Sequence, residues 1–357
     1  MTERARRFVH VFSTFGAGGP QVRAVQLMHH LGGEAEHVVM AMDGNTDARE
    51  MLGDDVQVTF ADAPQVRGFL AVRRSQAQWL REQRADLVLT YNWGAIETVA
   101  AAKKARLPLV HHEDGFGPEE ASKRIWRRSL MRRWLLRSVP VIVPSTVLVG
   151  IARTEWRLRE ANVLHLVNGV DLQRFTVAEK PVAGLVIGTV GGLRPEKDHA
   201  NLLRAVATLP ENVTVCLVGS GKLAADLRQL AQQLGLGDRV VFAGQTSDTS
   251  ASYRGFTVFV LSSRTEQMPI AMLEAMASGL PVVATDVGDV RKILPADQNC
   301  VVAREDSQAL AAAIAPLLDD PALRTSMGQA NRRIVEQYYE STTCLERFCA
   351  VYRAALR

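Results

Sequence analysis

The chain of 357 residues is 47% hydrophobic and 22% charged, a composition typical of a globular protein long enough to form two domains. No run of eighteen apolar residues occurs, which excludes a membrane-spanning helix of the usual length. Residues 1–165 hold 23 Lys and Arg against 18 Asp and Glu, whereas residues 166–357 hold 19 against 20, so the basic excess lies entirely in the first half.

The first half alternates strand-like and helix-like segments, which predicts an α/β domain with a parallel sheet. The expected strands are 8–13, 36–41, 56–60, 86–90, 107–111 and 140–144. The helices expected between them are 21–31, 67–84 and 95–105.

The second half repeats this alternation. Its expected strands are 185–190, 213–218, 239–243, 257–261 and 281–284, and its expected helices lie near 198–208, 222–234, 247–254, 269–279, 288–294, 307–318 and 321–338. We expect domains at 1–170 and 171–340, with a linker around 168–184. The last helix, about 341–357, has no strand partner, so we expect it to pack back on the first domain.

The cysteines and the N-terminus indicate the cellular compartment. The four cysteines are scattered without the spacing of a metal site, as expected for reduced thiols in a cytoplasm. The basic stretch 1–7 is followed by only a short apolar strand, too short for the apolar region of a signal peptide. We therefore expect a cytoplasmic protein.

The most informative segment is 266–281, which contains Glu266 and, eight positions later, Glu274. It follows an apolar strand, so Glu266 lies in a loop and a helix begins near Pro269, a residue favoured at the first helical position. No Ser, Thr, Asp or Asn directly precedes Pro269 to cap that helix. Open amide groups at a helix start bind anions, and Glu274 can accept hydrogen bonds from hydroxyls. This combination predicts a nucleotide-sugar site.

Two further loops in the second half follow predicted strands and contain glycines. One carries Gly191 and Gly192 and then the basic residues Arg194 and Lys197, which suit the two phosphates of a diphosphate. The other carries Gly219 and Gly221. An ordinary solvated loop remains the alternative for the first of these loops, and a simple turn remains the alternative for the second. In the first half, Gly18 and Gly19 open a helix after the first strand, where a tight turn is the alternative to ligand binding.

Four titratable residues, His111, His112, Glu113 and Asp114, follow the fifth predicted strand. They could act as acid or base, bind a metal or anchor a loop, and we favour hydrogen bonding to a sugar or acceptor hydroxyl. A strand places His111 and His112 on opposite faces.

Residues 123–137 contain seven basic residues and no acidic ones. Trp126, Leu130 and Trp134 recur every four positions, which predicts a helix with an apolar stripe. Basic residues beside tryptophans indicate contact with an anionic membrane, through a surface that would include Arg124, Trp126, Arg127, Arg128 and Trp134. The alternatives are a core helix with a solvated arginine face and, less favoured, nucleic-acid binding.

Taken together, these motifs resemble the retaining glycosyltransferases of family 4. The resemblance is strongest over 186–294, with 167–175 similar to the interdomain segment of that family. It implies the GT-B fold, in which two Rossmann-like, doubly wound domains face each other across a cleft.

The resemblance also implies the roles of the site residues. Glu274 would hold the ribose of a nucleoside-diphosphate sugar, Glu266 would face its sugar, and Met268, Pro269 and Ile270 would border its phosphates. A basic pair, Arg194 and Lys197, would neutralise the leaving diphosphate, so neither a metal ion nor another cofactor is expected. The donor residues would include Gly191, Gly192, Gly219 and Gly221. Gly18 and Gly19 are grouped with them, although the acceptor would also lie near these two glycines and the histidines.

Two residues depart from the family pattern. Gly192 occupies the position of the family's usual arginine, which leaves that role to Arg194 or to Lys197 alone. Gln267 stands where the family often has glycine, next to the loop that would meet the donor sugar.

We therefore predict a metal-independent hexosyltransferase that acts, with retention of configuration, on a lipid-linked or membrane-proximal glycan. A nucleotide-sugar epimerase of the same architecture and a non-catalytic nucleotide- or glycan-binding protein are the alternatives. A dinucleotide oxidoreductase is disfavoured, because neither half opens with the GxGxxG spacing.

Overall fold

A computed structural model describes residues 5–16, 18–116, 118–120, 124–179, 184–246 and 248–357. Ala17, Gly117 and Lys123 of the sequence motifs, and residues 180–183 of the expected linker, lie outside these ranges. The chain divides into two compact units: unit 1 comprises residues 1–167 and 342–357, and unit 2 comprises residues 168–341.

Unit 1 contains a seven-stranded parallel sheet in the order β3-β2-β1-β4-β5-β6-β7. Its strands are β1 (Arg6–Phe12), β2 (Ala35–Ala41), β3 (Val58–Ala61), β4 (Leu87–Tyr91), β5 (Leu109–His112), β6 (Val141–Val143) and β7 (Val163–His165). Its helices are α1 (Gly19–Leu31), α2 (Phe69–Glu82), α3 (Ile96–Ala105), α4 (Trp126–Leu136), α5 (Thr146–Thr154) and the final helix, α13 (Ser341–Ala355).

Unit 2 contains a six-stranded parallel sheet in the order β10-β9-β8-β11-β12-β13. Its strands are β8 (Leu185–Val190), β9 (Val213–Val218), β10 (Val240–Gly244), β11 (Val258–Leu261), β12 (Val282–Thr285) and β13 (Val301–Val302). Its helices are α6 (His199–Val206), α7 (Ala224–Gln233), α8 (Ser250–Arg254), α9 (Ile270–Ala277), α10 (Val290–Ile293), α11 (Ser307–Asp319) and α12 (Pro321–Tyr338).

The strand patterns of the sequence thus predict both sheets, and most bounds differ by one or two residues. The helix α5 and the strands β7 and β13 are not among the predicted elements. They are short, and β7 has only three residues, too few for a periodic signal. The part of the expected linker that is described, 168–179, belongs to unit 2.

Apolar residues pack on both faces of the sheet of unit 1. One face includes residues of α2, α3, α4 and α5, and the other includes residues of α1 and α13. Such a covered parallel sheet leaves its carboxyl edge as the place for ligands, near the point where the strand order reverses. That point lies between β1 and β4 in unit 1 and between β8 and β11 in unit 2.

Candidate functional site

In unit 2, helix α9 starts without a side-chain cap. Its N-cap residue is Pro269 and its first helical residue is Ile270, so the helix begins near Pro269 as the sequence predicts, with the proline one position before the first helical position. The amides of Met272 and Leu273 bond to the carbonyl of Pro269, whereas those of Ile270 and Ala271 precede the first helical acceptor. The helix therefore offers its first amides and the positive end of its dipole to an anion.

The residue before this helix is held from another segment of unit 2. The side-chain amide of Asn168 donates to the carbonyl oxygen of Met268 at 3.2 Å, and the backbone amide of Asn168 lies 3.2 Å from the Met268 sulfur. Asn168 and Met268 are both buried. The helix start is consequently fixed in position before a ligand binds.

Glu274 lies one turn inside α9, and its carboxylate is bound by a tyrosine. The hydroxyl of Tyr253, on α8, donates to Oε2 of Glu274 at 2.7 Å. Burial raises the pKa of Glu274 to about 7, although the hydrogen bond from Tyr253 and the charge of Arg174 oppose that rise. A carboxyl group with this pKa is partly protonated at neutral pH and can both accept from and donate to a ribose hydroxyl.

Glu266 is paired with Lys197. The ammonium of Lys197 lies 2.5 Å from Oε1 of Glu266, which also accepts a hydrogen bond of 2.8 Å from the Ser263 hydroxyl. The structure thus brings together two residues that the sequence places 69 positions apart. Both side chains are only slightly exposed, so the pair occupies a partly dry environment in which its charges interact strongly.

Arg194 is placed differently from Lys197. Its side chain is about half exposed, and its guanidinium lies 3.4 Å from Glu196 rather than from Glu266. The adjoining loops are joined by the backbone amide of Arg264, which donates to the Glu196 carbonyl, and by the Ser262 hydroxyl, which donates to the Lys197 carbonyl. Lys197 is therefore held in the site, while Arg194 extends from the same loop into solvent.

The glycine loops after β8, β9 and β10 pack backbone against backbone. Gly191 donates to Val218, and Gly219 donates to Gly244. A Cβ at Gly219 would clash with the Gly191 carbonyl, and one at Gly221 would clash with Leu193. These glycines have a structural reason to be small, as the alternative of simple turns predicts; Gly192 instead lies beside the Arg194 side chain.

Three residues at this edge escaped the sequence analysis, namely Tyr253, Ser263 and Gly288. Gly288 has φ +53, and a Cβ there would clash with the carbonyls of Glu266 and Gln267. The glycine in the loop after β12 was a visible signal for such a close approach. Tyr253 and Ser263 carried no signal, because their roles depend on contacts through space.

In unit 1, the two histidines of β5 point to opposite faces and both are fully buried. His111 Nδ1 lies 2.9 Å from the Thr90 hydroxyl, and His112 Nε2 lies 3.0 Å from the Tyr352 hydroxyl on α13. Burial, together with the charge of Arg23, holds the pKa of His112 well below its usual value. His112 is therefore neutral, and the final helix of the chain supplies its partner.

The acidic residues after β5 are bound by arginines. Glu113 lies 2.9 Å from Arg132 on α4, and Asp114 lies 2.6 Å from Arg23 on α1. Burial raises the pKa of Glu113, but the charge and hydrogen bond of Arg132, together with the His111 imidazole 3.6 Å away, lower the pKa by more, so the net shift is downward. These contacts favour the loop-anchoring role for Glu113 and Asp114 over hydrogen bonding to an acceptor.

The start of α1 resembles that of α9. Gly18 is the N-cap with no capping side chain, and Gly19 and Pro20 begin the helix. A Cβ on Gly18 would lie 2.8 Å from the Gln21 side-chain oxygen. The first amides of α1 therefore stay open at the carboxyl edge of the sheet of unit 1.

The apolar stripe of α4 faces outward, which contradicts the interpretation of α4 as a core helix with a solvated arginine face. Trp126 is 68% exposed, Leu130 55% and Trp134 62%, whereas Arg132 is completely buried. The inward face combines the buried Leu135 and Leu136 with Arg132, whose guanidinium lies 2.9 Å from Glu113 and 3.3 Å from Glu120.

Arg128, predicted as membrane-facing, instead bonds to Glu119 at 2.6 Å and to Glu120 at 3.3 Å. Its side chain is 22% exposed. The prediction that Arg128 faces a membrane is therefore wrong, because its charge is already paired within unit 1.

Two features are absent from the part of the chain that the structure describes. Within the described ranges, no cluster of three or more His, Cys, Asp or Glu is arranged to hold a metal ion. Across the same ranges, every helix is too short or too polar to traverse a bilayer.

Comparisons with known proteins agree on one class. Residues 174–334 match the family described as Glycosyl transferases group 1, and residues 17–174 match Glycosyltransferase Family 4. The lipopolysaccharide core biosynthesis mannosyltransferase LpcC of Rhizobium leguminosarum is 30% identical over 64% of this chain and 69% of its own length.

Two further proteins extend the comparison. An Escherichia coli UDP-Gal:alpha-D-GlcNAc-diphosphoundecaprenol alpha-1,3-galactosyltransferase is 25% identical over 72% of this chain and 73% of its own length. The structure of Anabaena Alr3699/HepE in complex with UDP-glucose superposes with a TM-score of 0.85 at 20% identity, covering 98% of this chain and 99% of that one. The predicted α/β fold class of GT-B type is thereby confirmed.

Proposed function

The chain belongs to the glycosyltransferases, and we propose that it transfers a sugar from a nucleoside-diphosphate sugar to a hydroxyl of a glycan acceptor, with retention of configuration. The observation that carries this proposal is the arrangement in unit 2: the uncapped start of α9 lies between the loop Glu266, paired with Lys197, and the partly buried Glu274, paired with Tyr253.

Each part of that arrangement suits one part of the donor. The carboxyl group of Glu274 binds the ribose hydroxyls, and the first amides of α9 bind the phosphates. Glu266 faces the sugar. Lys197, which neutralises Glu266 in the structure, is within reach of the same region and exchanges part of that contact for a phosphate oxygen when the donor binds.

This arrangement also stabilises the leaving group. Negative charge grows on the β-phosphate as the bond to the sugar breaks, and donors fixed in advance lower the barrier. Lys197 and the start of α9 are fixed by contacts within unit 2. Arg194, which is half exposed, closes onto the diphosphate, so that these groups neutralise it without a metal ion.

For the acceptor we propose a lipid-linked or membrane-proximal glycan, bound by unit 1 near Gly18 and Gly19, at the inner face of a membrane. Two observations support this: the open start of α1 and the outward stripe of α4, with exposed Trp126, Leu130 and Trp134. The Rhizobium relative is a mannosyltransferase of lipopolysaccharide core biosynthesis, and the Escherichia coli relative uses a diphosphoundecaprenol-linked acceptor.

The test begins with a melting-temperature screen against UDP-, GDP- and ADP-sugars, because a tight ligand raises the melting temperature. The best donor is then offered with and without glycan acceptors. We expect nucleoside diphosphate to be released when acceptor is present. Formation of an epimeric nucleotide sugar from donor alone would contradict transfer, as would binding without turnover across the whole panel.

The matching variants are Glu274→Gln and Glu211→Gln, both in unit 2. Glu211 is exposed and lies in the turn before β9. We expect Glu274→Gln to weaken donor binding by about tenfold or more, the cost of losing a hydrogen bond to a charged group, and Glu211→Gln to leave it unchanged. Equal donor affinity in both variants would remove Glu274 from the site.

A further inference from the structure

The arginines of α4 and the following segment divide into two classes. Arg128 and Arg132 point inward and are paired with Glu113, Glu119 and Glu120. Arg124 pairs with Glu155, and Arg153 pairs with Glu160. Among the residues that the structure describes, the other arginines from 124 to 159 have no ion pair to a carboxylate, namely Arg127, Arg133, Arg137, Arg157 and Arg159. The charge of these segments is thus partly neutralised within unit 1, and their unpaired arginines form a basic surface beside α4.

A cavity of about 390 Å³ lies on this surface, between α4 and the turn after α5. Arg124, Arg133 and Arg157 line it, and the only carboxylate among its lining residues is that of Glu155, 3.8 Å from Arg124. We call these three arginines, with Ser129, the arginine groove. The Ser129 hydroxyl is buried beneath them and has no hydrogen-bond partner within the described part of the chain, so three cations line one open depression.

The apolar side of this site is formed by exposed side chains. Trp126 and Leu130 line the cavity directly, and Trp134 continues the same stripe one turn further. A second cavity, of about 400 Å³, is lined by Arg137, Ser138 and Arg159. The result is a row of mostly unpaired guanidinium groups beside a row of exposed apolar side chains, which is the composition of an interfacial helix.

From this arrangement we propose that the arginine groove binds the phosphate of an anionic lipid headgroup, while Trp126, Leu130 and Trp134 enter the boundary of the acyl chains. Charge complementarity identifies the occupant, because guanidinium forks match phosphate oxygens and the adjoining stripe needs an apolar medium. A free phosphate would leave the stripe in water, and a nucleic acid offers it no acyl chains. This inference rests on the proposed membrane-proximal acceptor and defines how unit 1 reaches it.

The test is sedimentation of the full chain with vesicles of phosphatidylcholine alone and of phosphatidylcholine mixed with phosphatidylglycerol. We expect binding only to the mixed vesicles, and binding that weakens as salt is raised. The groove variant is Arg133→Glu with Arg157→Glu, and the stripe variant is Trp126→Ser with Trp134→Ser. Each is expected to weaken vesicle binding by roughly tenfold or more.

The matched control is Arg67→Glu with Arg74→Glu, which changes the charge equally at exposed positions in and before α2. We expect this control to bind vesicles nearly as well as the unchanged chain. If it loses binding as strongly as the groove variant does, the effect reflects net charge and the site is overturned. An unchanged melting temperature in every variant shows that folding is intact.

Further measurements distinguish a lipid phosphate from other phosphates. They also distinguish a failure of this inference from a failure of the proposed function. The lipid assignment would be overturned if the mixed vesicles do not retain the chain while inorganic phosphate or single-stranded DNA binds in its groove. Donor titrations of the groove variant are expected to match those of the unchanged chain, since the groove lies outside the donor site. Vesicle binding without any sugar transfer would leave this surface standing and remove the proposed function instead.

Discussion

The carboxyl edges of the two parallel sheets carry similar residues in different environments. After β5 of unit 1, His111, His112 and Glu113 are fully buried and bound by neighbouring side chains. After β8 and β11 of unit 2, Lys197 and Glu266 are bound to each other but remain partly exposed. Position at a strand end is therefore not sufficient for a ligand site; access to solvent distinguishes a binding edge from an anchored one.

The largest effect is expected when the buried arginine at the anchored edge of unit 1 is removed. Arg132→Ala would leave Glu113 buried without its cation and Glu120 with Arg128 alone, and we expect a loss of about 3–5 kcal/mol in the free energy of unfolding. Urea unfolding measures it. Arg133→Ala, at the exposed neighbouring position, is the control and should leave unfolding unchanged. A small loss at Arg132 would show that the edge of unit 1 is not held by this network.

The binding edge should respond in activity rather than in stability. Lys197→Gln keeps a polar side chain, one atom shorter, and removes the charge that faces the leaving diphosphate, so we expect kcat to fall about 10²–10³-fold, as for loss of a fixed donor. The melting temperature should change little. Lys222→Gln, at an exposed position in unit 2, should retain full kcat, and an equal loss there would argue against a specific role for Lys197.

Acid should lower the stability of unit 1 because its buried histidines resist protonation. Burial lowers the pKa of His37 to about 4 and holds that of His10 well below its usual value. The Nε2 atom of His10 lies 3.0 Å from the Nδ1 atom of His37. In the unfolded chain these histidines take up protons below their ordinary pKa of 6.5, whereas in the folded chain they do not. Their contribution to the free energy of unfolding is therefore fully present above that pH and is lost as the pH is lowered towards 4. For His37 alone the loss between pH 7 and pH 5 is about 2 kcal/mol.

Urea unfolding at those two pH values checks this expectation. His37→Asn should flatten the dependence of stability on pH, whereas His29→Asn, at a ring that is one-third exposed, should leave it unchanged. A dependence that is equally steep in both variants would contradict the assignment to His37.

A smaller effect is expected at Tyr253, which positions Glu274. Its hydrogen bond holds the pKa of Glu274 below the value that burial alone would give. Tyr253→Phe should therefore raise the pKa of Glu274 and raise KM for the donor several-fold, with kcat changed less. The pH profile of kcat/KM measures both. Tyr338→Phe, at an exposed tyrosine, is the control, and an unshifted profile at Tyr253 would remove it from the site.

The sequence predicts the two sheets and the Glu266–Glu274 segment because both depend on local periods and on glycine and proline signals. It does not predict that Lys197 pairs with Glu266 or that Tyr253 binds Glu274, because these contacts join different elements. The orientation of α4 was open for the same reason: an amphipathic helix defines two faces, and only Glu113 and Glu120, from the loop after β5, decide that Arg132 lies inward.

The central claim is that a nucleotide sugar binds the edge of unit 2. Hydrogen–deuterium exchange of the full chain, with and without the donor selected in the melting screen, tests it most directly. We predict slower exchange at the amides of 268–271 and in the loop 191–197, and no change at 111–114, which is already buried. Protection confined to 111–114, with 268–271 unchanged, would contradict the account.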